Sequence, residues 1–282
     1  MICKRRKPVA AGLFSLIVPG LGQLYNSQIK KGIVFYAGSN LLMYIMLLSG
    51  FWHQFHGLII TLIVVICVTL FIVVDAVLGA AKAKEIILKP YNKWYVYLLI
   101  IVIGLFIDIS DIFISPKIIG FKTYLIQGAN MEPTLFSGDY LVTNQNYYKK
   151  NKPKKRDLIV FEHPNDHTKY FIERIVAIEN EKIEIKNKQV FINEKLIVEN
   201  HIIHSDNQIY SRDKYFNFAK DNYGPVIVPS GHYFVLGDNR DNSWDSRFWG
   251  FIPLHNIKAK PLYIYWAKNK NRIGKKINGS TQ

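Results

Sequence analysis

The sequence predicts a mainly β, antiparallel domain carried on an α-helical membrane region. Nearly unbroken apolar runs fill the chain up to about Ser115, and beyond Pro116 they give way to short Val-, Ile-, Tyr- and Phe-rich runs broken by Gly, Asn and Pro. The mean hydropathy of +0.06 averages these two unlike halves. With 282 residues, 49% of them apolar, the chain has room for a membrane region at 1–115 and one domain of roughly 150 residues at 116–282.

Taken in order, the first half offers three runs long enough to cross a hydrocarbon core of about 30 Å: Gly32 to Gly50, Gly57 to Ala81, and Trp94 to about Ser115. An earlier apolar patch, Val9 to Tyr25, is short and is broken by Pro19-Gly20 and Gly22, so it is expected to be an interfacial or re-entrant piece. The same break, with no A-x-A-like site before Asn26, argues against a cleavable signal peptide. Lys4, Arg5, Arg6, Lys7, Lys30 and Lys31 flank that patch, Lys82, Lys84, Lys89 and Lys93 fill the loop after the second span, and Phe51 to His56 has no Lys or Arg. The positive-inside bias therefore puts the N-terminus in the cytoplasm and the second half outside, in a multi-pass protein of a plasma membrane. The segment PGLGQLYNSQIKKG is similar to small membrane modules attached to other bacterial domains and suggests no chemistry. Asp75, Asp108 and Asp111 lie near predicted span ends, where solvation accounts for them.

The second half reads as many short strands: Tyr124 to Gln127, Tyr140 to Asn144, Asp157 to His163, Tyr170 to Glu179, Lys182 to Lys186, Gln189 to Ile192, Lys195 to Glu199, Val226 to Val228 and Tyr233 to Leu236. Such spacing predicts antiparallel sheets rather than βαβ units. Asn200 to Tyr223 is expected to be a variable loop.

Composition narrows the function classes. Cys3 and Cys67 both fall in the first half, so the outer domain has neither a disulfide nor a thiolate zinc site. His201 and His204 lack acids arranged as further ligands, and no metal or cofactor is expected. Of the 36 Lys and Arg behind the net charge of +15, ten belong to the membrane half, where topology explains them. The outer clusters Lys149 to Arg156 and Lys268 to Lys276 suit anionic lipid headgroups better than nucleic acid.

The stretch GDNRDNSWDSRFWG, Gly237 to Gly250, carries the strongest motif, and it is joined by GANMEPTL at Gly128, SGDYLV at Ser137, RDLIVFEHP at Arg156, ERIVAIENEKIEI at Glu173 and GPVIVPSGHYFVLG at Gly224. In this order the blocks resemble type I signal peptidases. The resemblance implies a pair of antiparallel sheets, a catalytic core with an inserted cap, and Tyr124, Leu125, Ile126 and Gln127 as the strand beside which a substrate peptide lies. It also implies peptides with small side chains one and three residues before the cleavage point. Asp238, Asn239, Arg240 and Asp241 have the right chemistry to brace loops through charge-assisted hydrogen bonds.

The departures bear on activity. The family works with a serine nucleophile and a lysine base, and those two positions hold Asn130 and Glu173 here. An amide nitrogen is a very poor nucleophile, and the apolar pocket that keeps a lysine neutral would keep a glutamate in its neutral acid form. Gly128 replaces a serine that often supplements the oxyanion hole, a loss of about 3 kcal/mol in an active enzyme. Ser243 and Asp245, which order the site in the family, remain. Ser137 lies seven residues beyond Asn130, and Lys169 lies roughly 13 Å along its strand from Glu173, so neither takes over the lost geometry. The expected outcome is a catalytically inactive homologue with Asn130 and Glu173 as a buried hydrogen-bonded pair, Glu173 donating to the Asn130 amide oxygen while the Asn130 amide donates back or to Ser243, and with signal peptides or exported preproteins as possible ligands. Three alternatives stay open: an active signal peptidase, a scaffold acting through its N-terminal helices, and self-cleavage by cyclisation of Asn130. Oligomeric state is not readable.

Overall fold

The computed structural model describes residues 3–83, 85–210 and 220–277, without the side chains of Cys3, Asp111, Ile112, Phe113 and Ser115. Lys84, the Asp111 side chain and residues 211–219 of the expected variable loop therefore lie outside the described residues. The chain divides into two compact units, Met1–Ile119 and Gly120–Gln282.

The first unit is helical. Strand β1 (Cys3–Lys4) pairs with β2 (Ile86–Ile87), and between them run α1 (Pro8–Ile17), α2 (Leu21–Tyr25), α3 (Ile29–Leu48) and α4 (Phe55–Lys82), with α5 (Trp94–Ile119) after β2. Pro8 opens α1, where a missing N–H costs nothing. The Pro19-Gly20 break separates α1 from α2, and Gly20 takes the left-handed conformation at φ 89°. A side chain there would meet the Gly32 carbonyl oxygen at 2.2 Å. The polar residues of this segment are inside. Fully buried Gln23 donates to the Ile72 carbonyl (2.8 Å) and to Asp75 (3.0 Å), and its amide oxygen accepts from Ser15 (3.0 Å). Asn26 donates to the Ala76 carbonyl at 2.8 Å. The motif that suggested no chemistry thus clasps α1 and α2 to α4.

The helices α3 and α4 are long and apolar enough to cross a membrane, and α5 contains a shorter apolar stretch, Trp94–Ser110. Their side chains face outward, with Leu41, Phe71 and Phe106 all more than half exposed, as a lipid-facing surface requires. Asp75 is paired with Lys31 at 2.6 Å.

The second unit consists of antiparallel sheets, as the sequence predicts. Its elements are β3 (Phe121–Leu125), β4 (Tyr140–Asn144), α6 (Tyr147–Lys150), β5 (Leu158–His163), β6 (Asp166–Ile178), β7 (Lys182–Lys186), β8 (Gln189–Ile192), β9 (Lys195–Leu196), β10 (Tyr223–Ile227), β11 (His232–Leu236), α7 (Ser246–Trp249), β12 (Ile252–Pro253) and β13 (Ile257–Trp266). Seven strands form one sheet in the order β12-β11-β6-β5-β13-β4-β3, and four form a second in the order β10-β7-β8-β9. One apolar core gathers Met131, Leu135, Leu141, Val160 and Ile264, and another, around Ile183, Val190, Phe234 and Leu236, joins the small sheet to β11.

Several strands differ from expectation: β6 begins at Asp166 rather than Tyr170, and β10 at Tyr223 rather than Val226. The predicted strand at Tyr124 to Gln127 begins earlier, at Phe121, and its ladder ends at Leu125. The strand predicted over Lys195 to Glu199 is only two residues long. Strand β13, central in the large sheet, was not predicted at all.

Candidate functional site

Strand β3 is an edge: it pairs with β4 alone. Beyond its ladder the chain stays tied to the neighbouring turn, because Ile126 donates to the Asp139 carbonyl and its own carbonyl accepts from Gly138. This delivers Gly128, Ala129 and Asn130 to one side of a cleft. Buried Met131 and Leu135 anchor the turn that follows. The facing wall is β6, whose Lys169 to Ile172 stretch pairs with β5 on one side only, since β11 pairs with β6 no further than Arg174. The cleft between these strands is open, about 960 Å³, and reaches Asn130, Glu173 and Ser243.

The two family-critical positions meet. Asn130 Nδ2 donates to Glu173 Oε1 at 2.8 Å and to the Ile172 carbonyl at 3.0 Å. Ser243 Oγ lies 3.5 Å from the same carboxyl oxygen. Of the two bonds expected between them, the one in which the Asn130 amide donates to Glu173 is present, and the one in which Glu173 donates to the Asn130 oxygen is not seen. The Ile172 carbonyl beside Oε1 accounts for this, since two adjacent acceptors attract the NH₂ end of the amide. Self-cleavage gains no support, because both amide hydrogens are engaged on β6 while the Asn130 carbonyl oxygen points the other way, accepting from the Asn239 N–H at 2.9 Å.

Glu173 is fully buried. Burial is the largest cause that pushes its carboxyl well above the usual carboxylate range; the Asp245 charge adds to this, and the Asn130 bond, which favours the ionised form, offsets only part. Burial therefore favours the protonated over the ionised carboxyl here. Oε1 accepts from Asn130, while Oε2 is buried and has no hydrogen-bond partner.

The surroundings are cross-braced. Asp245 accepts from the Gly237 N–H and holds buried Arg247 at 2.8 Å through both Nε and Nη2. Asp238 grips Arg174 through two bonds of 2.8 and 2.7 Å, Arg240 meets Glu199 at 2.6 Å, and Asp241 meets Lys188 at 3.0 Å. Gly237 is required by close approach: a Cβ there would lie 2.3 Å from Ser243 Oγ and 2.6 Å from the Asn130 carbonyl oxygen. A Cβ on Gly128 would meet only the Asn130 amide oxygen, at 3.1 Å.

The structure thus brings Gly128, Asn130, Glu173, Ser243 and Tyr124 to Gln127 to one cleft, with Asp245 behind it. Sequence reasoning missed Trp244 and Phe248, which stack at 4.2 Å and line the same cleft, and Lys220. Lys169 also lines it, but its ammonium is tied to Asp166 at 2.9 Å rather than to Glu173. Among the described residues no group of three His, Cys, Asp or Glu side chains is placed to hold a metal ion.

Antiparallel sheets around an open, peptide-sized cleft define a peptidase-like β domain, here attached to an apolar helical unit. The chain belongs to the signal peptidase family, peptidase S26, whose model matches residues 92–266. Residues 4–80 match a second model, that of a family of unknown function. The signal peptidase I of Aquifex aeolicus (strain VF5) is 31% identical over 194 residues, covering 52% of this chain and 76% of that protein. That of Bacillus caldolyticus is 33% identical over 147 residues, covering 52% and 80%. Among solved structures, a signal peptidase I from Enterococcus faecalis V583 matches at 28% identity over 39% of this chain and 97% of that one, with a TM-score of 0.32.

Proposed function

We propose that this chain is a membrane-anchored signal peptidase I homologue that holds extended, signal-peptide-like segments and does not perform serine–lysine hydrolysis. The carrying observation is the 2.8 Å bond between Asn130 and Glu173. It fills the place of a nucleophile and its base with an amide, a very poor nucleophile, and a carboxyl that burial shifts toward its protonated form, which is not a base. The peptide groove is supported by two unpaired strand edges, Tyr124 to Gln127 and Lys169 to Ile172, between which an extended segment can hydrogen-bond as an added strand. In this proposal 1–115 is the membrane region with three spans, the N-terminus is cytoplasmic, and 116–282 works on the extracytoplasmic side, with lipids and exported preproteins as its partners.

The test is cleavage and binding of a preprotein by the full chain in detergent, beside a variant carrying Gly128→Ser, Asn130→Ser and Glu173→Lys. The native chain is expected to retain the preprotein without cutting it, and the variant to cut it. Cleavage by the native chain that is lost in Glu173→Gln would refute the inactive assignment. Absence of binding in both would remove the peptide groove.

A further inference from the structure

Arg6 in the helical unit is a buried cation with no counter-charge among the described residues. It is 6% exposed; its Nη2 donates to the Tyr97 hydroxyl at 3.1 Å, and its guanidinium stacks over the Tyr25 ring at 4.0 Å. Its Nε is buried with no hydrogen-bond partner, and the Lys31–Asp75 ion pair of this unit does not involve it. A hydroxyl and a ring face orient a guanidinium but do not neutralise it, and an isolated charge held out of water is costly.

Tyr97 packs in a cluster with Val18, Leu21 and Leu24, and these three also line an apolar groove of about 250 Å³ that continues along α5 past Ile100 and Ile103 to Ile107. From Tyr97 to Ile107 a helix advances about 15 Å, the depth of roughly half a hydrocarbon core. Positive charge gathers at the Arg6 end. The pairing of β1 with β2 sets Lys4 opposite Ile86, and Lys89 and Lys93 lead into α5. A cationic end joined to an apolar trough of that length has the polarity of a phospholipid.

We propose that the helical unit binds one anionic phospholipid, its phosphate neutralising Arg6 at the Tyr97 level and one acyl chain lying in the groove beside α5. The site shares the membrane placement proposed above but is independent of the peptide cleft. It also gives the Tyr25 end of the PGLGQLYNSQ segment a task besides clasping α4, since that segment supplies Tyr25, Leu21 and Leu24.

The experiment is native mass spectrometry of the delipidated full chain in neutral detergent, titrated with phosphatidylglycerol, phosphatidylcholine or glycerol phosphate. Phosphatidylglycerol is expected to bind about tenfold more tightly than phosphatidylcholine, equivalent to ~1.4 kcal/mol. Arg6→Gln should erase that preference and Arg6→Lys should keep most of it. Ala37→Phe, which fills the groove wall, should weaken both lipids while leaving glycerol phosphate unaffected. Equal binding of the two lipids by the native chain overturns the proposal without any variant, so misfolding of Arg6→Gln does not shelter it. Glycerol phosphate competing as well as phosphatidylglycerol would assign the site to a soluble phosphate instead, and also overturns it.

Discussion

Replacing Glu173 by Gln should change how the stability of the β domain depends on pH. The native carboxyl is fully buried and its pKa is raised well above its ordinary 4.5, chiefly by desolvation and then by the Asp245 charge. In the unfolded chain the same group ionises near its ordinary value. Between that value and the folded pKa the native state therefore carries one proton more than the unfolded state, and stability falls as pH rises, by up to about 1.4 kcal/mol per pH unit. The contribution is fully present below pH 4.5, declines through the window and is gone above the folded pKa. A glutamine keeps the Oε1 acceptor for Asn130 and is neutral at every pH, so Glu173→Gln removes this slope and little else. The assay is denaturant unfolding of both full-length proteins in detergent, followed on the β domain from pH 5 to 8. The stability difference should shift in favour of the glutamine variant with rising pH, over about two units at the full slope if the folded pKa lies beyond them. A difference that stays constant across the range would show that Glu173 is ionised inside the protein, and the neutral-acid description of the site would be wrong.

Three further outcomes test the frame around that pair. Asp245→Asn leaves the buried Arg247 guanidinium without its anion and should cost about 3–5 kcal/mol; it should also pull the Glu173 pKa downward, narrowing the pH window just described. Gly237→Ala puts a methyl group 2.3 Å from Ser243 Oγ and 2.6 Å from the Asn130 carbonyl oxygen, so it should destabilise the β domain by about 1–3 kcal/mol and weaken peptide binding; chemical denaturation and a peptide titration check both. Gln23→Ala in the helical unit removes the donor to Ile72 and Asp75 and the acceptor for Ser15, a loss of about 1–3 kcal/mol read as a lower thermal midpoint of the full chain in detergent.

Much of this was legible in the chain, for identifiable reasons. The apolar runs became α3, α4 and α5 because long stretches of apolar residues without Gly/Pro turn clusters favour continuous helix, and Pro19-Gly20 became a break because proline and a left-handed glycine end α1. Strand β13 was hidden. Its IKAKPLYIYW pattern sets lysines between apolar residues and a proline at its centre, and proline normally argues against a central strand. The structure accommodates Pro261 by changing partners nearby: β5 pairs at Ile257 and Ala259, β4 takes over from Lys260, and the register shifts just after Pro261. At the site, motif order was enough to place Asn130 opposite Glu173. The second bond of the Asn130 amide was not legible, because it goes to the Ile172 main-chain carbonyl, whose position no side-chain identity reveals.

Asn130 and Glu173 satisfy one another as a pair. An amide donor meets a carboxyl acceptor, and burial together with the Asp245 charge favours the protonated form of that carboxyl. The surrounding braces do not depend on that pair. Asp245 holds Arg247, Asp238 holds Arg174, and the Asn239 N–H donates to the Asn130 carbonyl, so the loop carrying Asn130 is held through its main chain, independently of the side chain it presents. The triple change Gly128→Ser, Asn130→Ser and Glu173→Lys therefore exchanges side chains at the cleft without touching these braces, and its outcome reports on the exchanged groups alone.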